Sequence, residues 1–334
     1  MAAESRHDCR PADHRPTASF ETLRSRAGLL RRVRAFFDAR GFLEVETPCL
    51  SADVVVDRHL DPLEVTLPTD VRRPDVGRRL YLQTSPEFHM KRLLAAGAGA
   101  IYQIARVFRA GESGPRHNPE FTLVEWYRPG DSYAAGRALL SDLGEALFGL
   151  GPAEQLSYGA AFARYVGLDP HSASLAELNR AVAAAGGASL GFAADDRDGR
   201  LDYLLVTCVE PRLGVDVPTI LYDYPASQAA LAQVRPGPPA IAERFELYVR
   251  GIELANGYHE LLDANELRQR NAANNRLRSV DGKPELPEES RLLAAMQAGL
   301  PESVGAALGF DRLVMLATGA ETIDQVLAFP IDRA

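Results

Sequence analysis

The stretch from Arg106 to Tyr127 constrains the fold more than any other part of the chain. Two runs of strand-like apolar content, 100–108 and 121–127, flank a centre rich in Gly, Pro and charge that suits neither strand nor helix. The pattern predicts two antiparallel strands joined by a long hairpin loop. Most hairpin loops are about two to five residues long. A longer one, with Arg106, Arg109 and Arg116 beside Glu112, His117, Asn118 and Glu120, is expected to hold a ligand. Guanidinium groups fork onto phosphate or carboxylate oxygens, so an anionic substrate such as a nucleotide is the natural guess. The plainer alternative is a solvated, charged turn.

The hairpin needs a sheet to sit in, and the rest of the chain supplies one. Leu23, Ala27, Leu30, Val33 and Phe37 recur at three- and four-residue steps and predict a helix over 20–40, stopped by Gly41. Residues 42–47 alternate as a strand closed by Pro48. Further strands are expected over 57–67, 79–83, 219–223, 242–254 and 304–310. Helices are expected over 88–96, 133–147, 158–168, 174–185, 200–209, 260–280, 286–299 and 311–319. In the 260–280 helix, Leu261, Leu262, Leu267 and Leu277 should face inward. The sum is an α+β fold, an antiparallel sheet flanked by helices, with residues 151–214 as a helical insertion.

Composition narrows the class. With 334 residues, 46% of them hydrophobic and 25% charged, the chain can bury a substantial core. No apolar run approaches the roughly 18 residues of a membrane span. Residues 1–17 are polar, lack the apolar segment of a secretory signal, and read as a frayed tail. Cys9, Cys49 and Cys208 are odd in number and far apart, which argues against a disulfide framework and for a reducing cytoplasm. His7, Cys9 and His14 are not read as a metal clasp. A net charge of −8 gives no basic footprint for nucleic acid.

Three other places gather functional side chains. Thr84-Ser85-Pro86-Glu87 is a turn and helix start. In the 251–260 stretch Glu253 lies between Ile252 and Leu254, Asn256-Gly257 is expected to turn the chain, and Glu260 follows. Two carboxylates there suit Mg²⁺, which takes a few carboxylate oxygens plus substrate phosphates. Finally, Gly309 lies near a strand end, where it would let a flat ring approach the backbone, and Arg312 opens a helix from which it can reach a phosphate.

Taken together, the helix–strand–Pro48 unit, the Phe108-Arg109 hairpin and the Gly309–Arg312 terminus resemble, in order, the three signature motifs of class II aminoacyl-tRNA synthetases. Thr84–Glu87, His117–Phe121 and Glu253–Gly257 narrow the likeness to the lysyl branch. Leu43–Cys49, His89–Leu93, Glu125–Pro129, Pro225–Gln228 and Asp332–Ala334 resemble a stand-alone paralogue family, the ligases that attach (R)-β-lysine to a lysine of translation elongation factor P. The likeness runs from about residue 20 to the last residue.

The resemblance implies a flexible tail over 1–18 and a catalytic domain over 19–334, without an anticodon-binding domain, acting as a cytoplasmic homodimer through Leu23–Pro48. It implies ATP as co-substrate, Mg²⁺ on Glu253 and Glu260, an aminoacyl-adenylate intermediate, (R)-β-lysine or lysine as substrate, elongation factor P as acceptor and no stable tRNA binding. Arg109, Glu253, Glu260 and Arg312 would be catalytic. Arg109, Ala110, Gly111, Glu112, Asn118, Glu253, Leu254, Gly309 and Arg312 would hold ATP. Ser85, Pro86, Glu87, Tyr127, Glu260 and Ala307 would hold the amino acid, with alanine at 307 associated with the β-amino-acid preference. Glu260 thus carries two roles. The family usually has Glu at position 111, so either Glu112 or the backbone of Ala110–Gly111 meets the adenine. A tRNA-charging enzyme and a catalytically silent regulator are the alternatives.

Overall fold

A computed structural model describes residues 14–334; the expectations for residues 1–13, His7 and Cys9 among them, lie outside the described residues. In chain order the strands are β1 (Leu43–Glu44), β2 (Leu50–Ser51), β3 (Glu64–Pro68), β4 (Gly77–Leu82), β5 (Ile101–Phe108), β6 (Glu120–Pro129), β7 (Glu154–Ser157), β8 (Thr219–Pro225), β9 (Val234–Arg235), β10 (Ile241–Val249), β11 (Ile252–His259) and β12 (Ser303–Gly309). They form a nine-stranded sheet in the order β1-β5-β6-β12-β11-β10-β8-β7, with β9 on β10, and a three-stranded sheet β2-β4-β3. From β5 to β8 every pairing is antiparallel, while β1 and β7 join the edges in parallel. The α+β expectation holds.

Alternation decides which face of this sheet is core. On β6, Val124 and Trp126 join Phe37, Tyr102 and Leu308 in the main apolar cluster. On the other face Phe121, Leu123, Glu125 and Tyr127 line a cavity. The Phe20–Asp38 helix, capped by Ser19 accepting from the Thr22 N–H, covers the core face with Leu29, Val33, Phe36 and Phe37. That stripe lies beside the expected one: Ala27 is exposed and Leu23 and Leu30 are only half-buried.

Several boundaries differ from expectation, each for a local reason. The tail does not extend to residue 18, because the Thr17 and Ala18 N–H groups donate to the Ala328 and Leu327 carbonyls at 2.9 and 3.1 Å. Residues 57–63 are not strand: buried Arg278 donates to the Asp57 and Leu60 carbonyls at 2.9 and 3.2 Å, and Lys283 donates to the Arg58 carbonyl at 2.9 Å. Arg278 therefore faces inward where Leu277 was expected, and Leu277 is exposed. The insertion is not wholly helical, since β7 pairs with β8 before the helices begin. The single strand expected over 242–254 is two strands, turned by Arg250 and Gly251 at φ 52° and 70°. Asn256-Gly257 does not turn; both residues sit inside β11, opposite Ala307 and Ala306.

Three elements meet at one buried carboxylate. Asp311, at the start of the Phe310–Thr318 helix, pairs with Arg26 of the first helix at 2.5 Å and accepts from the Thr122 N–H of β6 at 2.7 Å. Arg26 also donates to the Thr122 hydroxyl at 3.0 Å. Removing one partner of a buried ion pair typically costs about 3–5 kcal/mol, because the other charge is stranded. Asp311→Ala should therefore lower unfolding stability in urea by about 3 kcal/mol, Arg26 keeping some solvent. A loss below about 1 kcal/mol would show that the junction does not hold these elements together.

Candidate functional site

The cavity, about 1070 Å³ in volume, lies over the face of β6, β12 and β11. Its floor is low in the middle because β12 presents Gly305, Ala307 and Gly309 there. A Cβ on Gly305 would come within 2.3 Å of the Tyr127 ring and 2.6 Å of Glu260 Oε1, so only glycine fits. Charged and aromatic side chains on the flanking strands then face each other across small residues.

One end is lined by arginine. Arg109, first residue of the hairpin loop, holds its guanidinium 5.0 Å from the Phe121 ring centre, donates to the Thr84 carbonyl at 3.3 Å and pairs with Glu112 at 3.6 Å. Arg312 donates to the Glu253 carbonyl at 2.9 Å and to His117 Nε2 at 2.7 Å, and reaches the Glu253 carboxylate at 3.4 Å. His117 therefore accepts at Nε2, and burial and the neighbouring Arg312 lower its pKa. The loop is clasped from outside: the Ile323 N–H donates to the Pro115 carbonyl at 2.8 Å, and the Ile331 N–H to Asn118 Oδ1 at 3.0 Å.

The other end is lined by carboxylates around one buried ammonium. Lys91 Nζ contacts Glu87 at 2.6 Å and also Glu260. Glu87 and Lys91 are one turn apart on the Glu87–Ala95 helix, and Glu260 arrives from the end of β11. Glu125 accepts from the Ser85 hydroxyl at 2.7 Å and from the Tyr127 hydroxyl at 2.6 Å. Burial pushes Glu260 up to about 8, with Glu87 and Glu125 adding repulsion that Lys91 only partly offsets. Burial, with Glu87, likewise pushes Glu125 up to about 7. Burial works against the Lys91 charge, but the attraction of Glu260 and Glu87 outweighs it and holds its pKa above the usual range.

Most residues singled out from the sequence converge here. Ser85, Glu87, Arg109, Glu112, Asn118 and Tyr127 line the cavity, as do Glu253, Leu254, Glu260, Ala307, Gly309 and Arg312. Pro86, Ala110 and Gly111 do not: Pro86 caps the helix and the Ala110 N–H is taken by the Asp61 carbonyl at 2.7 Å. Gly111 sits at φ 77°, a left-handed turn that a glutamate would strain. Arg106 and Glu120 pair with each other at 2.9 Å and do not line the cavity, so the loop's donors and acceptors do not all converge.

The pairing of Glu253 with Glu260 as ligands of one ion is corrected. They stand at opposite ends of β11, roughly 20 Å apart at about 3.3 Å per residue. The carboxylate that repels Glu253 is Glu246, diagonal to it across the β10–β11 hairpin. Burial and then Glu246 raise the Glu253 pKa against the pull of Arg312. Glu246 is buried and accepts from Tyr224 and Tyr248 at 2.6 and 2.5 Å. Arg244, 2.5 Å from Glu246, already balances part of this charge, and a cation between Glu246 and Glu253 would relieve the repulsion that remains, so the pair fits Mg²⁺; among the described residues no cluster of three or more such ligands stands ready-made.

The sequence reading missed Lys91, Glu125, Glu246, Asn256 and Tyr258. Glu125 shares the period-two face of Phe121 and Tyr127, a signal available in the sequence. Asn256 and Tyr258 were hidden by reading Asn256-Gly257 as a turn. Asn256 lines the cavity, and its buried side-chain oxygen has no hydrogen-bond partner among the described residues.

Residues 2–333 match the model of the family "tRNA synthetases class II (D, K and N)". The elongation factor P–(R)-β-lysine ligase of Klebsiella pneumoniae subsp. pneumoniae is 48% identical over 325 residues, 97% of this chain and 99% of that protein. The protein of the same name from Salmonella paratyphi B matches at the same identity and coverage. The chain belongs to the elongation factor P–(R)-β-lysine ligase family, within the class II tRNA synthetases.

The carboxylate end of this family member should respond to pH in a defined direction. Glu125 and Glu260 have folded pKa values raised from 4.5, so the stability they lend is present below about pH 4.5 and lost as pH rises through about 7 and 8. A cationic ligand favours their ionised forms and must displace their protons at low pH. Affinity for a diamino acid, measured by calorimetry, should rise about tenfold from pH 6 to pH 8 and then level off. An affinity independent of pH over that interval would contradict the assignment.

Proposed function

We propose that this protein is an ATP-dependent ligase that activates (R)-β-lysine or lysine as an aminoacyl-adenylate and transfers it to the ε-amino group of a lysine on elongation factor P. The observation that carries this is the division of one cavity into an arginine end and a carboxylate end, separated by the small residues of β12. ATP and a diamino acid are complementary to those two ends, and both reactants meet over Ala307.

In the first step the carboxylate of the amino acid attacks the α-phosphorus of ATP, forming the acyl–phosphate bond and releasing pyrophosphate. Two anions approach each other, so the protein must lower their repulsion and fix their alignment. Arg109 would neutralise the α-phosphate and Arg312 the far phosphates. Asn118, Leu254 and Gly309 would border the nucleotide, and Glu112 or the backbone of Ala110–Gly111 the adenine. Glu253, with Glu246, would hold Mg²⁺, which when bound offsets the phosphate charge. Ser85, Glu87, Tyr127, Glu260 and Ala307, with Glu125 and Asn256, would orient the amino acid through its ammonium groups. In the second step a lysine amine attacks the activated carbonyl, and AMP leaves.

A tRNA-charging enzyme is the second reading, favoured by the synthetase family to which the chain belongs. A net charge of −8 works against it, since RNA binding draws mainly on basic side chains. A homodimer through Leu23–Pro48 fits the exposure of Leu43 in that segment. No helix among the described residues is long and apolar enough to cross a membrane, and free Cys49 and Cys208 suit a reducing cytoplasm.

Incubation with ATP, (R)-β-lysine or α-lysine, and either elongation factor P or bulk tRNA should leave the protein acceptor heavier by one acyl group, by mass spectrometry, with the tRNA unchanged. Acylated tRNA beside unmodified protein would overturn this function.

A further inference from the structure

Among the described residues, Lys91 is the one cation that pairs with the acids of the carboxylate end, and the reaction above gives it no role. Its side chain is 3% exposed, on the inner face of the Glu87–Ala95 helix. Around it stand Glu87 on the same helix, Glu260 from the end of β11, and Tyr127, whose ring centre is 5.9 Å from Nζ. Glu125, bonded to Tyr127, completes the ring of acids. On the far side the Arg291–Gly299 helix packs with apolar Leu292, Leu293 and Met296, and turns Arg291 away to Asp53 at 3.1 Å. One carboxylate is enough to balance the charge of a buried lysine. Lys91 has two, both lining the cavity, and neither Glu87 nor Glu260 touches another cation among the described residues.

Resting on the function just given, we propose that Lys91 is a positioning residue, the resident counter-ion that holds Glu87 and Glu260 as a spaced pair able to receive the ammonium groups of a diamino acid. Lys91 holds down the pH at which these acids give up their protons; without an internal cation they would keep them to higher pH still, and the substrate would have to displace more of them. With Lys91 in place, one negative charge is already balanced, and the remaining two match a substrate carrying two ammonium groups. No bond forms or breaks at Lys91.

The test is amino-acid-dependent ATP–pyrophosphate exchange, followed from pH 6 to 9. In Lys91→Met the KM for the diamino acid should rise about tenfold at pH 7, its pH dependence should move up by about one unit, and the KM for ATP should stay unchanged. Lys91→Arg, which keeps the charge, should keep the natural pH dependence even if its KM rises. Lys91→Met with Glu87→Gln restores the pocket's charge without a buried ion pair. It should return the pH midpoint to its natural position and fold if the single variant does not. A Lys91→Met profile with an unshifted midpoint, or a double variant that stays shifted, would overturn the proposal. Failure of the natural protein to exchange pyrophosphate with any diamino acid would instead overturn the function on which it rests.

Discussion

The Asp311 carboxylate fixes the relation between the parts that handle the substrates. It receives Arg26 from the first helix and the Thr122 N–H from β6, and it begins the helix that carries Arg312. Arg109 and Arg312 lie on different elements, and their separation is set by how β6 meets that helix. An anion clamp works only when its donors are placed before the ligand arrives, because reorganisation at the moment of reaction would consume the stabilisation. A buried carboxylate with two donors from different elements offers that rigidity in a way that apolar packing alone does not, since its geometry is directional.

The same economy governs the floor of the cavity. Gly305, Ala307 and Gly309 keep β12 low, so the two chemically opposed ends share one space and the reacting atoms meet between them. The carboxylate end is strained electrostatically: burial raises Glu125 and Glu260, and Lys91 offsets only part of the repulsion. That strain is useful. A cationic substrate relieves it, whereas a neutral amino acid of the same shape leaves buried charges without partners, the strongest kind of discrimination a site can make.

The hairpin, the helix start at Glu87 and the helix start at Arg312 were legible because each is a local pattern of strand alternation or capping. Long-range contacts were not. Residues 57–63 look like strand by composition, yet their carbonyls are taken by Arg278 and Lys283, more than two hundred positions away in sequence. Asn256-Gly257 carries the strongest short hairpin signal, but Gly257 is there because a Cβ would lie 2.4 Å from the Phe245 ring, and Asn256 because its amide faces the cavity. Lys91 sits one helical turn from Glu87 and reads as an ordinary surface pair. Only the arrival of Glu260 from β11 makes it part of the site.

The account's central claim is that one cavity reads an anionic nucleotide at one end and a doubly cationic amino acid at the other. Calorimetric titration with two unreactive acyl-sulfamoyl adenosines tests it most directly, one carrying the β-lysyl group and the other the same chain without its distal ammonium. The account predicts that the first binds about a hundredfold more tightly, about 2.7 kcal/mol, at pH 8. Equal affinities would contradict it.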